Sequence, residues 1–234
     1  MESLKYPRTY HFPFSPGTTS DDRIKQDWQG ILQHELVVTE KLDGENTCIK
    51  SDGVYARSHA APTRNPWAKN AWEIWERIKL NLKDFDIFGE NLYGQHSIEY
   101  TRLEHHFYVF AIREGDKWLS WDEVVFYADV LELPTVPVIK RGIFTEKEIT
   151  ELINSTIKEE SQLGGKCEGV VCRTAQSFYN LPTEQVGQHF SNNVLKYVRK
   201  NHVKTDEHWT RNWQRAKLRF ERTVEKSQTR LGND

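Results

Sequence analysis

The residues best suited to covalent chemistry stand in one short stretch, where an apolar run ends in Lys41-x-Asp43-Gly44. The run before it, 36–38, has the pattern of a buried strand, so the Lys41 amine is expected to face the wall of a cleft. Burial and cationic neighbours lower the pKa of a lysine and free its lone pair for attack. Lys41 is therefore the candidate nucleophile of a covalent reaction.

A lysine that attacks the α-phosphate of a nucleotide needs further groups around it. The phosphates need cations, Mg²⁺ needs carboxylates, the base needs an aromatic face, and the ribose needs a hydrogen-bond acceptor. The sequence supplies Arg57 and Lys196 as cations, Asp43 and Glu168 as metal ligands, Phe110 for the base and Glu90 for the ribose. Taken singly, each has an ordinary explanation as a core phenylalanine, a strand-end acid or a surface cation. Their combination and order favour nucleotidyl transfer.

Several predicted strands must position these residues. One predicted strand ends at Lys41. The chain that follows forms a hairpin with its turn at Asp52-Gly53, and this hairpin brings Arg57 back towards Lys41. The remaining strands are predicted over 85–94, 107–113, 117–119, 167–173 and 194–200, with a proline-bearing edge strand over 135–139.

The helices are predicted from capping signals and apolar stripes. Residues 1–23 are predicted to be irregular, with Asp21 or Asp22 capping a short helix that ends near Leu32. A longer helix follows Asn65, with Trp72, Trp75, Ile78 and Leu82 at helical spacing. Capping boxes of Ser120 with Glu123 and Thr145 with Glu148 start two more helices, the second with a buried stripe of Ile149, Leu152, Ile153 and Ile157. Helices and strands without a strict βαβ rhythm predict an α+β fold of antiparallel sheets.

Composition limits the class of protein. The chain has 234 residues, of which 37% are hydrophobic and 28% charged, which fits one large globular domain. It has no apolar run of membrane-spanning length and no apolar signal sequence, so a soluble cytoplasmic protein is expected. Cys48, Cys167 and Cys172 are expected to be reduced and buried. A net charge of −2 means that any nucleic-acid site must be a local patch.

The end of the chain is more basic than the rest. From residue 196 to residue 230 there are eleven lysines or arginines and four acids. We expect a main domain over 1–200 and a short basic helical extension over 201–234. A solvated helix face and a phosphate-binding surface are both open interpretations of this extension.

Six motifs in order, over residues 37–200, resemble those of the covalent nucleotidyltransferases and, within them, the ATP-dependent RNA ligase family of phage-type nick-sealing enzymes. The resemblance implies a nucleotidyltransferase domain of antiparallel sheets flanked by helices, with ATP as co-substrate and Mg²⁺ or Mn²⁺. It implies that Lys41 forms a lysyl-AMP. It further implies Glu40 in the ATP site, Arg57 near the sugar and phosphate, Glu90 on the ribose, Phe110 on the adenine, Glu168 and Asp43 at the metal, Lys196 on the α-phosphate, and Asn46 at the RNA end.

One motif departs from the family pattern. The last motif usually reads Lys-x-Lys, but residue 198 is valine. Arg199 and Lys200 are the candidates for the missing phosphate contact, and they are also candidate nucleic-acid contacts.

The resemblance implies a ligase that joins RNA 5′-phosphate and 3′-hydroxyl ends, as in RNA repair or end sealing. A capping-type guanylyltransferase or a DNA ligase shares these motifs but usually carries an OB-type domain after them. The 34 residues that follow Lys200 are too few for such a barrel. A non-catalytic nucleotide or RNA sensor is a further alternative, against which the intact Lys41, Glu90 and Glu168 argue. A simple nucleic-acid-binding module would explain the basic end of the chain but not Lys41-x-Asp43-Gly44.

Overall fold

Two β-sheets with helices against them form the body of the protein. The computed structural model describes residues 5–57, 61–179, 186–200 and 211–231, without the side chains of 186–189 and 226–231. The strands are β1 (Tyr10–His11), β2 (Leu36–Lys41), β3 (Glu45–Lys50), β4 (Gly53–Ala56), β5 (Phe85–Asn91), β6 (Phe107–Glu114), β7 (Lys117–Trp118), β8 (Val138–Gly142), β9 (Gly169–Thr174), β10 (Phe178–Tyr179) and β11 (Val194–Val198). The α-helices are α1 (Lys69–Ile78), α2 (Trp121–Val130), α3 (Glu146–Thr156), α4 (Val186–Asn193) and α5 (Arg219–Leu231).

The strand orders are β1-β11-β9-β2-β8 in the first sheet and β10-β7-β6-β5-β3-β4 in the second. Every pair is antiparallel except β1 with β11. Both orders are open, so no closed barrel occurs in the part of the chain that the structure describes. This architecture confirms the predicted α+β class.

Strand β2 lies inside the first sheet and is buried on both faces. Leu36 and Val38 pack in one core with Ile149 and Ile153 of α3, whereas Val37 packs in the core of the second sheet. Because side chains alternate along a strand, Lys41 shares the face of Val37. The strand therefore directs Lys41 towards the second sheet, as the sequence predicted for a cleft wall.

Both predicted capping boxes are confirmed, at the starts of α2 and α3. The stripe of α3 is also confirmed in part, since Ile149 and Ile153 are fully buried. The reciprocal hydrogen bonds of such boxes satisfy donors that have no partner inside the helix.

The predicted helix from Asp21 or Asp22 to Leu32 is wrong. Only a 3₁₀ helix over Trp28–Gln33 forms, and its N-cap is Asp27. Asp22 instead accepts hydrogen bonds from the N–H and hydroxyl of Thr19, both at 3.0 Å, which favours a turn over a helix.

The predicted edge strand over 135–139 is displaced along the chain. Strand β8 covers 138–142 and does lie at the edge of its sheet. Pro137 stays outside it because proline has no N–H for the ladder, although its carbonyl accepts from Glu40 N at 2.9 Å.

The three cysteines are free thiols and buried, as predicted. Among the described residues, no helix combines the length and apolar character needed to cross a bilayer. Residues 201–210 of the predicted extension lie outside the described residues. The segment 211–218 returns to the main domain, where Ala216 N donates to Tyr93 O at 2.9 Å and Gln95 N donates to Gln214 O at 2.8 Å.

Candidate active site

A cavity of about 710 Å³ opens between residues of the two sheets. Strands β2, β9 and β11 of the first sheet and β3, β5 and β6 of the second all contribute side chains to it. Seven of the sequence-predicted residues line it: Glu40, Lys41, Asn46, Arg57, Glu90, Phe110 and Lys196. The structure therefore brings together residues that are far apart in the sequence.

Lys41 makes its main contact with Glu168. Its Nζ donates to the two carboxylate oxygens of Glu168 at 2.8 and 2.7 Å, and the glutamate side chain is only 5% exposed. The strand register explains this contact, because Lys41 pairs with Gly169 and Glu168 is the residue just before it. The candidate nucleophile and the candidate metal ligand are thus direct partners.

The electrostatics of Lys41 differ from the sequence-based expectation. Burial alone would lower the pKa of Lys41, but the carboxylates of Glu168, Glu90 and Asp43 outweigh burial and raise it. The expectation of a lowered pKa is therefore wrong. The direction of the shift favours a charged Lys41 amine paired with Glu168.

Asp43 lies in a polar turn that a separate loop stabilises. Its Oδ2 accepts from Ile98 N at 2.8 Å, and its own N–H donates to the hydroxyl of Tyr100 at 2.8 Å. Burial, followed by repulsion from Glu168, raises the pKa of Asp43 to about 6. These two carboxylates therefore create a concentration of negative charge beside Lys41.

Glu90 lies across the cavity on β5. Its Oε1 accepts from Gly44 N at 3.0 Å, and burial is the main cause that raises the pKa of Glu90 to about 8. A side chain on Gly44 would place its Cβ 2.6 Å from Asn91 O. The glycine of the first motif therefore permits the close approach that joins β5 to the Lys41 strand.

Glu40 lines the cavity, but its carboxylate is already bound. Its oxygens accept from Ser161 Oγ at 2.5 Å and Gln162 N at 2.7 Å. Any contact between Glu40 and a nucleotide would therefore be made by the backbone atoms of Glu40.

The apolar part of the cavity contains Phe110, Val136 and Val171. Phe110 is half-buried and packs edge-to-face against Tyr6, with ring centroids 5.1 Å apart. An aromatic face beside aliphatic side chains suits a planar base.

The cations lie in different parts of the site. Arg57 is exposed, whereas Lys196 is partly buried with its Nζ 3.4 Å from Asp22 Oδ1. Burial, together with the nearby charges of Lys41 and Arg57, lowers the pKa of Lys196 despite the opposing effect of Asp22. A phosphate that entered here would meet cations from both sheets.

The structure does not place Arg199 and Lys200 with the residues that line the cavity. Arg199 Nε donates to Cys167 O at 3.0 Å, and Lys200 is exposed. Arg173 does line the cavity, and burial lowers the pKa of Arg173 to about 10. It donates to Leu119 O at 2.7 Å and lies over Trp121.

Asn46 lies at the same end of the cavity as Glu90, opposite it in the β3–β5 ladder. Its Oδ1 is buried and accepts no hydrogen bond from the residues that the structure describes. Such an atom normally finds a partner, so a ligand is a natural source of one.

The acidic groups fit a hard divalent cation. In the described parts of the chain, no group of three or more His, Cys, Asp or Glu residues has the arrangement of a metal site. Mg²⁺ does not require one, because it commonly binds through one or two carboxylates, waters and substrate phosphates. Burial and then repulsion from Glu168 raise the pKa of Asp43, and a cation held by these two carboxylates would offset their repulsion.

Sequence reasoning missed several residues of the site. They are Tyr6, His11, Asp22, His96, Tyr100 and Arg173. Arg173 carried a usable signal, because a charged residue inside an apolar strand is rarely buried without a partner or a role. The other residues lie in loops or within residues 5–25, where no periodicity indicates the orientation of a side chain.

The fold resembles those of solved ligase structures. A putative ATP-dependent DNA ligase from Aquifex aeolicus matches with a TM-score of 0.51 and 21% identity, over 84% of this chain and 50% of that one. A mutant RNA ligase from Naegleria gruberi with ATP and Mn matches with a TM-score of 0.52 and 18% identity, over 81% of this chain and 58% of that one. Another mutant of the same ligase, with AMP and Mn, matches with a TM-score of 0.51 and 16% identity, over 84% and 61% of the two chains. This chain thus spans about half to three-fifths of the lengths of these proteins.

The fold is therefore that of a ligase nucleotidyltransferase domain. The sequence profile of the RNA ligase family matches residues 34–198, which is more than half of the chain. The protein belongs to the RNA ligase family. None of the curated proteins compared with the chain matches it.

Proposed function

We propose that this protein is an ATP-dependent RNA ligase that seals 5′-phosphate to 3′-hydroxyl ends through a lysyl-AMP at Lys41. The observation that carries the proposal is the contact of Lys41 Nζ with Glu168 at 2.7 Å, beside a cavity that also contains Glu90, Phe110 and Lys196. The apolar end suits the base, and the cationic end suits the phosphates. Membership of the RNA ligase family and the likeness to an ATP-bound ligase structure support the same function.

The first step forms a P–N bond between Lys41 and the α-phosphorus of ATP and breaks the bond to the β-phosphate oxygen. The amine must lose a proton first, and Glu168 is the carboxylate in contact with it. Lys196 and Arg57 hold phosphate oxygens, and pyrophosphate leaves. Asp43 and Glu168 would hold Mg²⁺ or Mn²⁺, which offsets phosphate charge when bound.

Two transfers complete the sealing reaction. The AMP passes from Lys41 to an RNA 5′-phosphate, which breaks the P–N bond and forms a pyrophosphate linkage. An RNA 3′-hydroxyl then attacks the 5′-phosphorus, the phosphodiester forms, and AMP leaves. The attacking 3′-oxygen and the 5′-phosphorus must approach to about 3–3.5 Å, so the protein has to hold both RNA ends. Asn46, with its unused Oδ1, is the candidate for that role.

The direct test is transfer of label from α-³²P-ATP to the protein. The Lys41→Ala variant is expected to carry no label, while Lys147→Ala, at a lysine that is 83% exposed on α3, labels like the wild type. Labelling of the Lys41→Ala variant, or no labelling of the wild type with Mg²⁺ or Mn²⁺, would contradict the proposal.

Sealing is tested separately with 5′-phosphorylated RNA and DNA ends, as nicked duplexes and as single strands. We expect RNA ends to be joined, and Asn46→Ala to reduce sealing by about 10-fold or more while self-labelling changes little. Sealing of DNA ends alone would favour a DNA ligase, and labelling by GTP in preference to ATP would favour a guanylyltransferase.

A further inference from the structure

The N-terminal segment, defined as residues 5–25, forms one wall of the candidate active site. Tyr6, Pro7 and Thr9 line the cavity. The Tyr6 ring packs against four aromatic rings at centroid distances of 5.1 to 5.3 Å, those of Phe88, Phe110, Trp118 and Phe190. Strand β1 then pairs in parallel with β11, so that His11 lies opposite Lys196. The segment is therefore attached to both sheets.

Within this segment, Asp22 is fixed at both of its carboxylate oxygens. Oδ2 accepts from Thr19 N and Oγ1, each at 3.0 Å. Oδ1 faces Lys196 Nζ at 3.4 Å and His11 Nε2 at 3.2 Å. A carboxylate bound on both sides has little freedom to move, and it therefore restricts the lysine that it contacts.

His11 extends the same network towards β11. It is buried, and its Nδ1 lies 2.8 Å from Ser15 Oγ. Ser15 Oγ accepts from Val198 N at 2.9 Å, and Gly17 N donates to Val198 O at 2.9 Å. Ser15 Oγ also donates to Val198 O at 3.3 Å, so this residue joins the segment to both the N–H and the carbonyl of Val198.

The network meets β11 at the two positions where the family pattern has lysines. Lys196 is present and contacts Asp22, whereas Val198 at the second position is covered by Ser15 and Gly17. A Cβ on Gly17 would lie 2.9 Å from Val198 Cγ1, so the segment follows the strand closely. Of these two positions, only 196 carries a lysine.

We propose that Asp22, oriented by Thr19, is a positioning residue that holds Lys196 in place for contact with the α-phosphate of ATP. This inference rests on the proposed function, because it requires that the cavity bind a nucleoside triphosphate. Asp22 itself does not touch the reacting atoms. Its role is to fix the amine that does.

The test is the single-turnover rate of self-labelling with α-³²P-ATP, measured over a range of ATP concentrations. We expect Asp22→Asn, which keeps an acceptor for Thr19, to lower the maximal rate by about 10- to 100-fold. The ATP concentration at half-saturation should change by less than about threefold, because the misplaced lysine affects the reacting phosphate most. Asp21→Asn, at the exposed neighbouring residue, is the matched control and should label like the wild type.

A second measurement separates positioning from a general effect on folding. In a Lys196→Met background, Asp22→Asn should cause a further loss of less than about threefold, because the two residues act as one unit. Circular dichroism and thermal melting establish that each variant is folded. A near-normal rate for Asp22→Asn, or a loss of the same size with and without Lys196, would overturn the inference. The wild-type rate is measured in the same experiment, so failure of the proposed function appears as its absence.

Discussion

Lys41 and Glu168 are 127 residues apart in the sequence, yet the β2–β9 register places the Lys41 amine between the two oxygens of the Glu168 carboxylate. Burial would lower the pKa of Lys41, but the neighbouring carboxylates, Glu168 first, outweigh it and raise that pKa. A charged amine has no lone pair, so attack by Lys41 requires that its proton leave first.

The first prediction concerns this pair. Glu168→Gln removes the charge that holds Lys41 but also removes a ligand of the candidate metal site. We expect self-labelling to fall by at least about 100-fold, because the loss of metal-assisted charge neutralisation outweighs the release of the amine. Glu159→Gln, at an exposed residue beyond α3, is the control. Faster labelling by Glu168→Gln would mean that the pair only restrains the lysine.

The second prediction concerns the pH dependence of stability. The pKa of Glu90 is raised by burial to about 8, so the folded protein binds this proton more tightly than the unfolded chain does. The stability that it contributes is present below the ordinary pKa of a glutamate and is lost as the pH rises through about 8. Glu90→Gln carries no such charge, so its melting temperature relative to wild type should rise between about pH 5 and pH 9.

Thermal melts of the two proteins across this pH range provide the measurement. Glu114→Gln, at an exposed residue at the end of β6, should show a constant difference from wild type. A constant difference for Glu90→Gln as well would show that Glu90 keeps its ordinary ionisation.

The third prediction concerns the glycine that follows Glu168. A Cβ on Gly169 would lie 2.0 Å from Tyr197 O, so Gly169→Ala must push β9 away from β11. We expect a loss of about 1–3 kcal/mol in the free energy of unfolding, together with slower self-labelling as Glu168 shifts. Gly30→Ala, where a Cβ meets nothing within 4 Å, should leave both quantities near wild type. Chemical denaturation and the labelling assay check this, and equal stability of the two variants would contradict it.

The fourth prediction concerns the C-terminal segment, defined as residues 211–231. Its Arg222 pairs with Glu99 at 2.9 Å, next to Tyr100, whose hydroxyl accepts from Asp43 N. Arg222→Gln should therefore lower the melting temperature and slow self-labelling, because the loop that orders Asp43 is loosened. Lys217→Gln, whose partner Glu225 lies in the same segment, is the control.

The contacts of the C-terminal segment also determine what a truncated chain should do. We expect a chain that ends at residue 200 to melt at a lower temperature and to label more slowly, because Arg222, Ala216 and Gln214 are lost from the loop around Tyr93, Gln95 and Glu99. An unchanged melting temperature and labelling rate, with weaker RNA binding, would show that the segment serves RNA alone.

Much of the fold follows from local patterns in the sequence. The Asp52-Gly53 turn, the two capping boxes and the apolar run before Lys41 each specify their structure through neighbouring residues, and each is confirmed. That the six motif residues lie together at one site was predicted only from the order of the motifs along the chain. The contact of Lys41 with Glu168 and the direction of the Lys41 pKa depend on a strand register that local patterns do not determine.

The N-terminal segment shows the limit of such reasoning. Its prolines and turn residues correctly predict a mostly irregular chain, but its contacts with β11 join it to residues more than 170 positions away. A two-residue strand such as β1 is too short to show a periodic pattern in the sequence. It forms because it pairs with β11. The role of Asp22 therefore became visible only when the distance to Lys196 was known.

The parallel pairing of β1 with β11 has a consequence for the order of events during synthesis. Strand β1 is the first strand and β11 the last strand that the structure describes, so a chain still on the ribosome lacks β11 until about residue 198 has left the exit tunnel. Until then Lys196 has not reached its place at the cavity, and His11 has no β11 to pair with. A nascent polypeptide therefore gains this wall of the candidate site only once β11 has emerged and docked.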